Sequence, residues 1–191
     1  MAGHDVEKVE KEYSLLQANF AESIWNWANI EAALFSLYQC AIGFNAEGGR
    51  ALHKAFFAIK GVEIRVSVTD AAMKYRWPTG SYIDEWVKIR TRLDKSRRSR
   101  GRLAHHAGIK IKFGEDGKSL SEVEPLVILV EPYVHDEFPE SRQDAINRGF
   151  SATQLGELAE EFKALDADMW TLIMRIRREV PRVPRTQPDS K

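Results

Sequence analysis

An unbroken apolar repeat near the end of the chain constrains the fold more than any other feature of the sequence. It follows Ser151 and Gln154, which are spaced as in a capping box at the start of a helix. Its members recur at alternating steps of three and four: Leu155, Leu158, Phe162, Leu165, Met169, Leu172 and Ile176. A helix with this seven-residue repeat buries one face against another helix, so the chain must contain a long helical partner.

The predicted partner is a first helix of unusual length, over about residues 5–42. Its apolar stripe consists of Val6, Val9, Tyr13, Leu16, Phe20, Ile24, Trp27, Leu34, Tyr38 and Ala41. Glu31 interrupts this stripe, and the neighbouring Ile30 can take the buried place while Glu31 lies at its flank. Trp25 and Trp27 lie about 200° apart on a helix, so we expect one to be buried and the other to cover a second interface.

Three further helices are predicted, over residues 50–60, 62–76 and 81–104. The alternation in VEIRVSV (62–68) also fits a strand, but a lone internal strand would have no partner there. The third of these helices should turn four residues inward: Ile83, Trp86, Leu93 and Ala104. A β excursion over about 108–133 follows, with GIKIKF and PLVILVEPYV as its strands. The sequence therefore predicts a mainly α single domain over residues 1–179, a bundle of about five helices with a small β-hairpin insertion, and a disordered tail over 180–191.

Composition excludes several classes of protein. The 28 lysines and arginines balance 28 acidic residues, so net charge alone indicates no polyanionic partner. Cys40 is the only cysteine, which excludes an intrachain disulfide and a cysteine-based zinc site. There is no metal-protease motif and no calcium loop, so we expect no metal and no cofactor. No apolar run approaches the roughly 20 residues of a membrane span, and the polar N-terminus predicts a cytoplasmic protein without membrane contact.

Positive charge is nevertheless gathered in one place. Between residues 88 and 102 a single acid, Asp94, stands among eight basic residues: Lys88, Arg90, Arg92, Lys95, Arg97, Arg98, Arg100 and Arg102. Such a run can follow an RNA backbone, with Lys95, Arg97, Arg98 and Arg102 as the candidate RNA-binding residues. Alternatively, it is a solvated helix face whose arginines pair with the acidic loop at 136–140.

The stretch RSRGRLAHHAG (98–108) adds two histidines to this run. RNA is cleaved without metal when its 2′-hydroxyl attacks the adjacent phosphate, which needs a base for the hydroxyl proton and positive charge at the phosphate. His105 suits the first role and Arg100 the second, because histidine is a neutral base near neutral pH and the arginine fork binds two phosphate oxygens. On a regular helix the two residues lie about 140° apart, so we expect the helix to end or distort between them, at Gly101.

Several alternatives compete with this pair. Arg98 and His105 share nearly one helix face, as do Arg102 and His106. Helix phase favours Arg100 as the inward arginine, because it continues the line of Trp86 and Leu93 at steps of seven. Glu31 could then orient Arg100 through a charge-assisted pair. The whole stretch could also be only a solvated, positively charged helix end.

The motif RGRLAH resembles the R-x4-6-H motif of the HEPN superfamily, which often reads RNxLAHG. WANIEAALFSLY in the first helix and SATQLGEL at the start of the last are also similar to that family. The resemblance implies a metal-independent endoribonuclease, of the kind found among toxins and defence nucleases. Its catalytic residues would be Arg100 and His105, with Glu31 and His106 in support. It further implies a homodimer in which two motifs line one RNA cleft, and a cognate antitoxin of the nucleotidyltransferase type.

The chain departs from that pattern at two positions, since Gly101 replaces the usual polar residue and His106 the usual glycine. Two other functions therefore stay open. One is a catalytically inactive HEPN-like module that binds RNA, a nucleotide or a protein. The other is a structural helical adaptor whose exposed tryptophan marks a protein interface.

Overall fold

The computed structural model describes residues 3–43, 49–106, 108–112, 126–130 and 149–180. These residues form five helices: α1 (Gly3–Ile42), α2 (Gly49–Ala58), α3 (Val62–Arg76), α4 (Ser81–His105) and α5 (Ala152–Glu179). They also form three short strands: β1 (Gly108–Lys112), β2 (Leu126–Val130) and β3 (Phe150–Ser151). The predicted mainly α fold with a small β hairpin after the fourth helix is confirmed.

The chain divides into two compact units. The first unit comprises Met1–Trp27 and Lys95–Lys163, and the second comprises Ala28–Asp94 and Ala164–Lys191.

In the first unit, α5 packs along α1 as the apolar repeat predicts. Asn19, Ser23 and Asn26, one turn apart on α1, donate side-chain hydrogen bonds to backbone carbonyls of α5 at 2.8, 3.1 and 3.0 Å. The two helices approach closely where Gly156 of α5 faces Asn19 of α1. A Cβ at Gly156 would lie 3.0 Å from the Asn19 amide nitrogen. Glycine at 156 therefore avoids a tight contact with the Asn19 side chain, at a cost of about 1 kcal/mol in helix propensity.

The seven repeat residues of α5 are all buried, which confirms the predicted inward face of that helix. On α1 the prediction holds for Leu16, Trp27 and Leu34 but is wrong for Val6 and Ile24, which are 43% and 39% exposed. The two tryptophans of α1 face opposite sides, as predicted. Trp27 is 3% exposed and packs on Phe162, with the ring centroids 5.1 Å apart. Trp25 is 69% exposed. Ile30 is fully buried and Glu31 is half-buried beside it.

In the second unit, a buried carboxylate joins α3 to α4. Asp70 accepts a hydrogen bond of 3.0 Å from the indole nitrogen of the fully buried Trp86. Its other oxygen lies 2.8 Å from the Lys74 ammonium group and 2.7 Å from the Arg90 guanidinium. Burial would raise the pKa of Asp70, but the hydrogen bonds from Lys74 and Trp86 and the charge of Arg90 hold it below its usual value.

The segment over residues 62–76 is helical, as predicted, despite its alternating start. Val66, Thr69, Asp70 and Met73 of α3 are buried at steps of three, one and three, a helical and not a strand period. The helix ends at Arg76, and the backbone N–H of the following Trp77 donates to the Met73 carbonyl. Proline at 78 disfavours a helical conformation for the preceding residue, so the helix cannot continue.

The β excursion is a three-stranded antiparallel sheet in the order β1-β2-β3. In β1 and β2, Gly108 pairs with Val130 and Lys112 with Leu126, as the predicted hairpin requires. The third strand was not predicted; in it Phe150 pairs with Leu129. The predicted turn GEDGKS, the acidic loop over 135–149 except for Gly149, and the predicted tail beyond Val180 lie outside the described residues.

Ser151 and Gln154 form the predicted capping box at the start of α5. The Ser151 N–H donates to the Gln154 side-chain oxygen at 2.9 Å, and the Gln154 N–H donates to the Ser151 hydroxyl at 3.2 Å. We expect Ser151→Ala to cost about 1 kcal/mol in the free energy of unfolding, because one end of this reciprocal pair is lost. The measurement is chemical unfolding followed by circular dichroism. Ser67→Ala, in the exposed middle of α3, is the control and should cost nothing; equal losses in both variants would contradict a capping role.

Candidate nucleic-acid interface

Helix α4 runs without interruption through the stretch that carries the basic residues and His105. The prediction that the helix ends or distorts between Arg100 and His105 is therefore wrong. Gly101 lies inside the helix and does not have a positive φ. The helix continues through it because a single glycine costs a helix only about 1 kcal/mol and the buried Leu103 fixes the turn that follows. Arg100 and His105 consequently point about 140° apart on one regular helix.

Arg100 lies on the inward side of α4, as its phase predicts. It follows the fully buried Trp86 and Leu93 at steps of seven and is itself half-buried. Its Nε atom is buried and has no hydrogen-bond partner among the residues that the structure describes. The inward position predicted for Ala104 is wrong, because Ala104 is exposed in the last turn of α4.

His105 lies instead on the exposed side of α4, together with three cations. Lys95, Arg98, Arg102 and His105 follow one another at steps of three, four and three, and all four are exposed. We call these four residues the basic stripe. They lie within an arc of about 80° and extend over about 15 Å of helix. In the described part of the chain, neither Lys95 nor Arg98 forms an ion pair.

Arg102 is held in place by β3. Its guanidinium carbon lies 5.0 Å from the centre of the Phe150 ring, and the His106 ring meets the same phenyl ring edge-on at 5.1 Å. Phe150 is 7% exposed, so one aromatic ring anchors both residues at the end of α4. An apolar residue directly before an N-cap serine is typical of a hydrophobic staple, a signal that would have singled out Phe150 in the sequence.

His106 is buried, with 4% of its surface exposed. Its Nδ1 atom is hydrogen-bonded to the backbone carbonyl of Arg102, and its backbone N–H donates to the Leu103 carbonyl at 3.2 Å. These contacts close the last turn of α4. The structure thus assigns His106 to the helix end, where it supports the basic stripe from inside.

Glu31 binds an arginine that the sequence did not single out. Its carboxylate oxygens accept hydrogen bonds from the two terminal nitrogens of Arg65 at 3.3 and 3.5 Å, within the second unit. No periodicity marks Arg65, because the pairing joins α1 to α3 across 34 residues of sequence. Arg97, the remaining predicted RNA-binding residue, is half-buried.

The structure offers no candidate metal centre within the described ranges, where no three potential metal ligands gather. Four potential metal ligands that lie close together in the sequence, Glu131, His135, Asp136 and Glu137, fall outside those ranges. Among the helices that the structure describes, none is both long and apolar enough to cross a membrane.

No family model, curated protein or solved structure matches the chain. The possible function of the end of α4 is therefore inferred from the chemistry of its own side chains. Three cations and one imidazole, exposed on one helix face, can bind a polyanion and take up a proton beside it.

Proposed function

We propose that the chain is a HEPN-like endoribonuclease that binds RNA along the basic stripe and cleaves it without a metal ion. The observation that carries this proposal is the exposure of His105 on the same face of α4 as Arg98 and Arg102. A base and two phosphate-binding groups thus lie within two helix turns of each other. The anchoring of Arg102 on Phe150 supports it further, because a preorganised cation stabilises developing charge at little reorganisation cost.

In the proposed reaction His105 accepts the proton of a ribose 2′-hydroxyl. The 2′-oxygen then forms a bond to the adjacent phosphorus, and the bond from phosphorus to the 5′-oxygen of the next nucleotide breaks. The guanidinium groups hold the two free phosphate oxygens as negative charge develops on them. The leaving 5′-oxygen takes a proton from water. The products are one RNA end with a 2′,3′-cyclic phosphate and one with a 5′-hydroxyl.

The arginine that binds the reacting phosphate can be assigned in two ways. Arg98 and Arg102 lie on the side of His105 within the same chain. Arg100, which the family resemblance favours, points about 140° away from His105, so a second copy of the chain would have to bring it to the same phosphate. A homodimer of the HEPN type, with two motifs along one RNA, belongs to this proposal, as do action on cytoplasmic RNA and control by a nucleotidyltransferase-like antitoxin.

The continuity of α4 favours a second candidate function, an RNA-binding module without cleavage. In that case the basic stripe holds the RNA backbone while Arg100 and His105 never meet at one phosphate. One assay distinguishes the two functions: incubation of the purified chain with single-stranded RNA in excess chelator. RNA with 2′,3′-cyclic phosphate ends indicates the nuclease, whereas salt-sensitive binding of intact RNA indicates the module.

Binding along the basic stripe has its own test. We expect the double variant Lys95→Glu/Arg98→Glu to weaken binding of single-stranded RNA by at least about tenfold at low salt, because two phosphate contacts are lost. The slope of log affinity against log salt should fall by about 1.4, that is about 0.7 for each contact. Fluorescence anisotropy of a labelled oligonucleotide measures both quantities.

The matched control is Lys8→Glu/Lys11→Glu, which reverses two exposed lysines of α1 in the same unit. It changes the net charge equally but removes none of the proposed phosphate contacts. At about 0.15 M salt, where distant charges are screened, it should leave affinity within about twofold. Equal weakening in both double variants would refute a localised RNA site on α4.

A further inference from the structure

A cleft of about 330 Å³ opens in the second unit between α1 and the first turns of α2. Six residues line it: Phe35, Gln39, Gly49, Arg50, His53 and Lys54. Its volume lies near the lower limit of ligand-binding clefts, about 300 Å³, so it suits a small molecule.

The rim of the cleft is positively charged. Arg50, His53 and Lys54 are all exposed and lie on the first two turns of α2, a helix that contains no acidic residue. Within the described residues none of the three side chains forms an ion pair. The start of α2 adds partial positive charge of its own. Two full cations and an imidazole at one edge favour an anion, and phosphate can accept hydrogen bonds from all three groups.

The wall of the cleft is aromatic. The Phe35 ring, which is 9% exposed, meets the His53 ring edge-on with their centroids 5.1 Å apart. The His53 ring also lies 4.5 Å from the ring of Phe57. A flat ring gains contact area and edge-to-face interactions against such a wall, whereas a free inorganic anion does not.

We propose that this cleft binds a phosphate monoester carried on a flat ring, such as an aryl phosphate or a nucleoside monophosphate. The ring lies against Phe35 and His53, and the phosphate lies at the rim, between Arg50 and Lys54. This site shares no residue with the basic stripe, and it does not depend on whether the chain cleaves RNA.

Isothermal titration of the full chain with phenyl phosphate tests the proposal, with inorganic phosphate and phenol as comparison ligands. We expect phenyl phosphate to bind at least about tenfold more tightly than either, because only it uses both the rim and the wall. Lys54→Glu and Arg50→Glu should each weaken phenyl phosphate by about tenfold or more, the loss of one charge-assisted contact. Lys60→Glu, the same change at an exposed lysine outside the cleft, should leave its affinity within about twofold.

Removal of the His53 ring tests the contribution of the aromatic wall of the cleft. His53→Ala should reduce the preference for phenyl phosphate over inorganic phosphate, since it removes part of the aromatic wall. The proposal is overturned if phenyl phosphate shows no saturable binding in the millimolar range, if inorganic phosphate binds equally well, or if Lys54→Glu and Lys60→Glu behave alike.

The source of the phosphate is distinguished in the Lys95→Glu/Arg98→Glu background, where binding to the basic stripe is weakened. Preference for a 5′-phosphorylated over a 5′-hydroxyl oligoribonucleotide identifies an RNA end as the ligand. Binding of uridine 5′-monophosphate without that preference identifies a free nucleotide. Because the titrations use small ligands, a negative titration would contradict the cleft proposal but not RNA binding by α4. Absence of RNA cleavage would contradict the nuclease proposal but not the cleft.

Discussion

RNA cleavage in the presence of chelator should fall by about a hundred- to ten-thousandfold in His105→Ala, the range for loss of a general base. RNA affinity should change far less, by about threefold at most, because the basic stripe keeps its three full cations. Gel analysis of a labelled single-stranded RNA under single-turnover conditions measures cleavage, and anisotropy measures binding. A variant that loses binding and cleavage in equal measure would contradict proton transfer by His105.

Gln17→Ala is the control, since it truncates an exposed side chain of α1, in the same unit as His105 but outside both proposed binding sites. It should cleave RNA at the rate of the unchanged chain. If Gln17→Ala and His105→Ala lose cleavage equally, the activity does not reside on α4.

Single and mixed arginine variants decide which guanidinium acts with His105. If Arg98 and Arg102 act within one chain, Arg102→Ala should reduce cleavage more than Arg100→Ala does. If Arg100 acts from a second copy, then Arg100→Ala and His105→Ala, each inactive alone, should recover part of the activity when mixed. The mixed dimer then contains one site with both residues intact.

The largest expected effect on stability is that of Asp70→Ala, which should lower the free energy of unfolding by about 3 kcal/mol. The change leaves the indole N–H of a fully buried tryptophan without its acceptor and leaves two cations without their shared carboxylate. For a chain of this size the thermal midpoint should fall by roughly 6–12 °C. Asp70→Asn keeps an acceptor for Trp86 and should cost less.

Asp168→Ala is the control, because it breaks the ion pair with Arg92, in which both side chains are largely exposed. Exposed pairs contribute about 1 kcal/mol at most. Equal costs for the two alanine variants would show that Asp70 contributes no more than a surface charge. Differential scanning calorimetry of both variants gives the comparison.

The contribution of Asp70 should also depend on pH. Because its pKa is lowered in the folded chain, its ionised form stabilises the fold at any pH above the ordinary carboxyl value of 3.8. This stabilisation is lost as the pH falls from that value through the lower pKa of the folded state. The difference in stability between the unchanged chain and Asp70→Asn should therefore be constant near neutral pH and shrink only in that acid range.

Periodicity was sufficient to predict what depends on burial along one element. The repeat from Leu155 to Ile176 identified the inward face of α5, and the opposite phases of Trp25 and Trp27 predicted that only one would be buried. These predictions hold because a helix repeats every 3.6 residues, so its sequence reports directly which side meets the core. The capping box at Ser151 was predictable for a similar reason, since both partners lie within one helix turn.

Contacts between distant segments left no such periodic signal. The bond from Trp86 to Asp70, the pairing of Glu31 with Arg65 and the approach of Asn19 to Gly156 each depend on which helices become neighbours in space. The continuity of α4 was missed for a different reason. Glycine lowers helix propensity by only about 1 kcal/mol, and burial of Leu103 on the next turn is enough to outweigh it.

Gly101 has a consequence for how this chain can vary. A Cβ built there meets no atom within 4 Å among the residues that the structure describes, and the backbone φ is not positive, so a side chain can begin at this position. Replacement of Gly101 by a residue such as asparagine, which is typical of the HEPN motif, would also remove the cost of a glycine inside a helix. This one position can therefore vary without breaking α4.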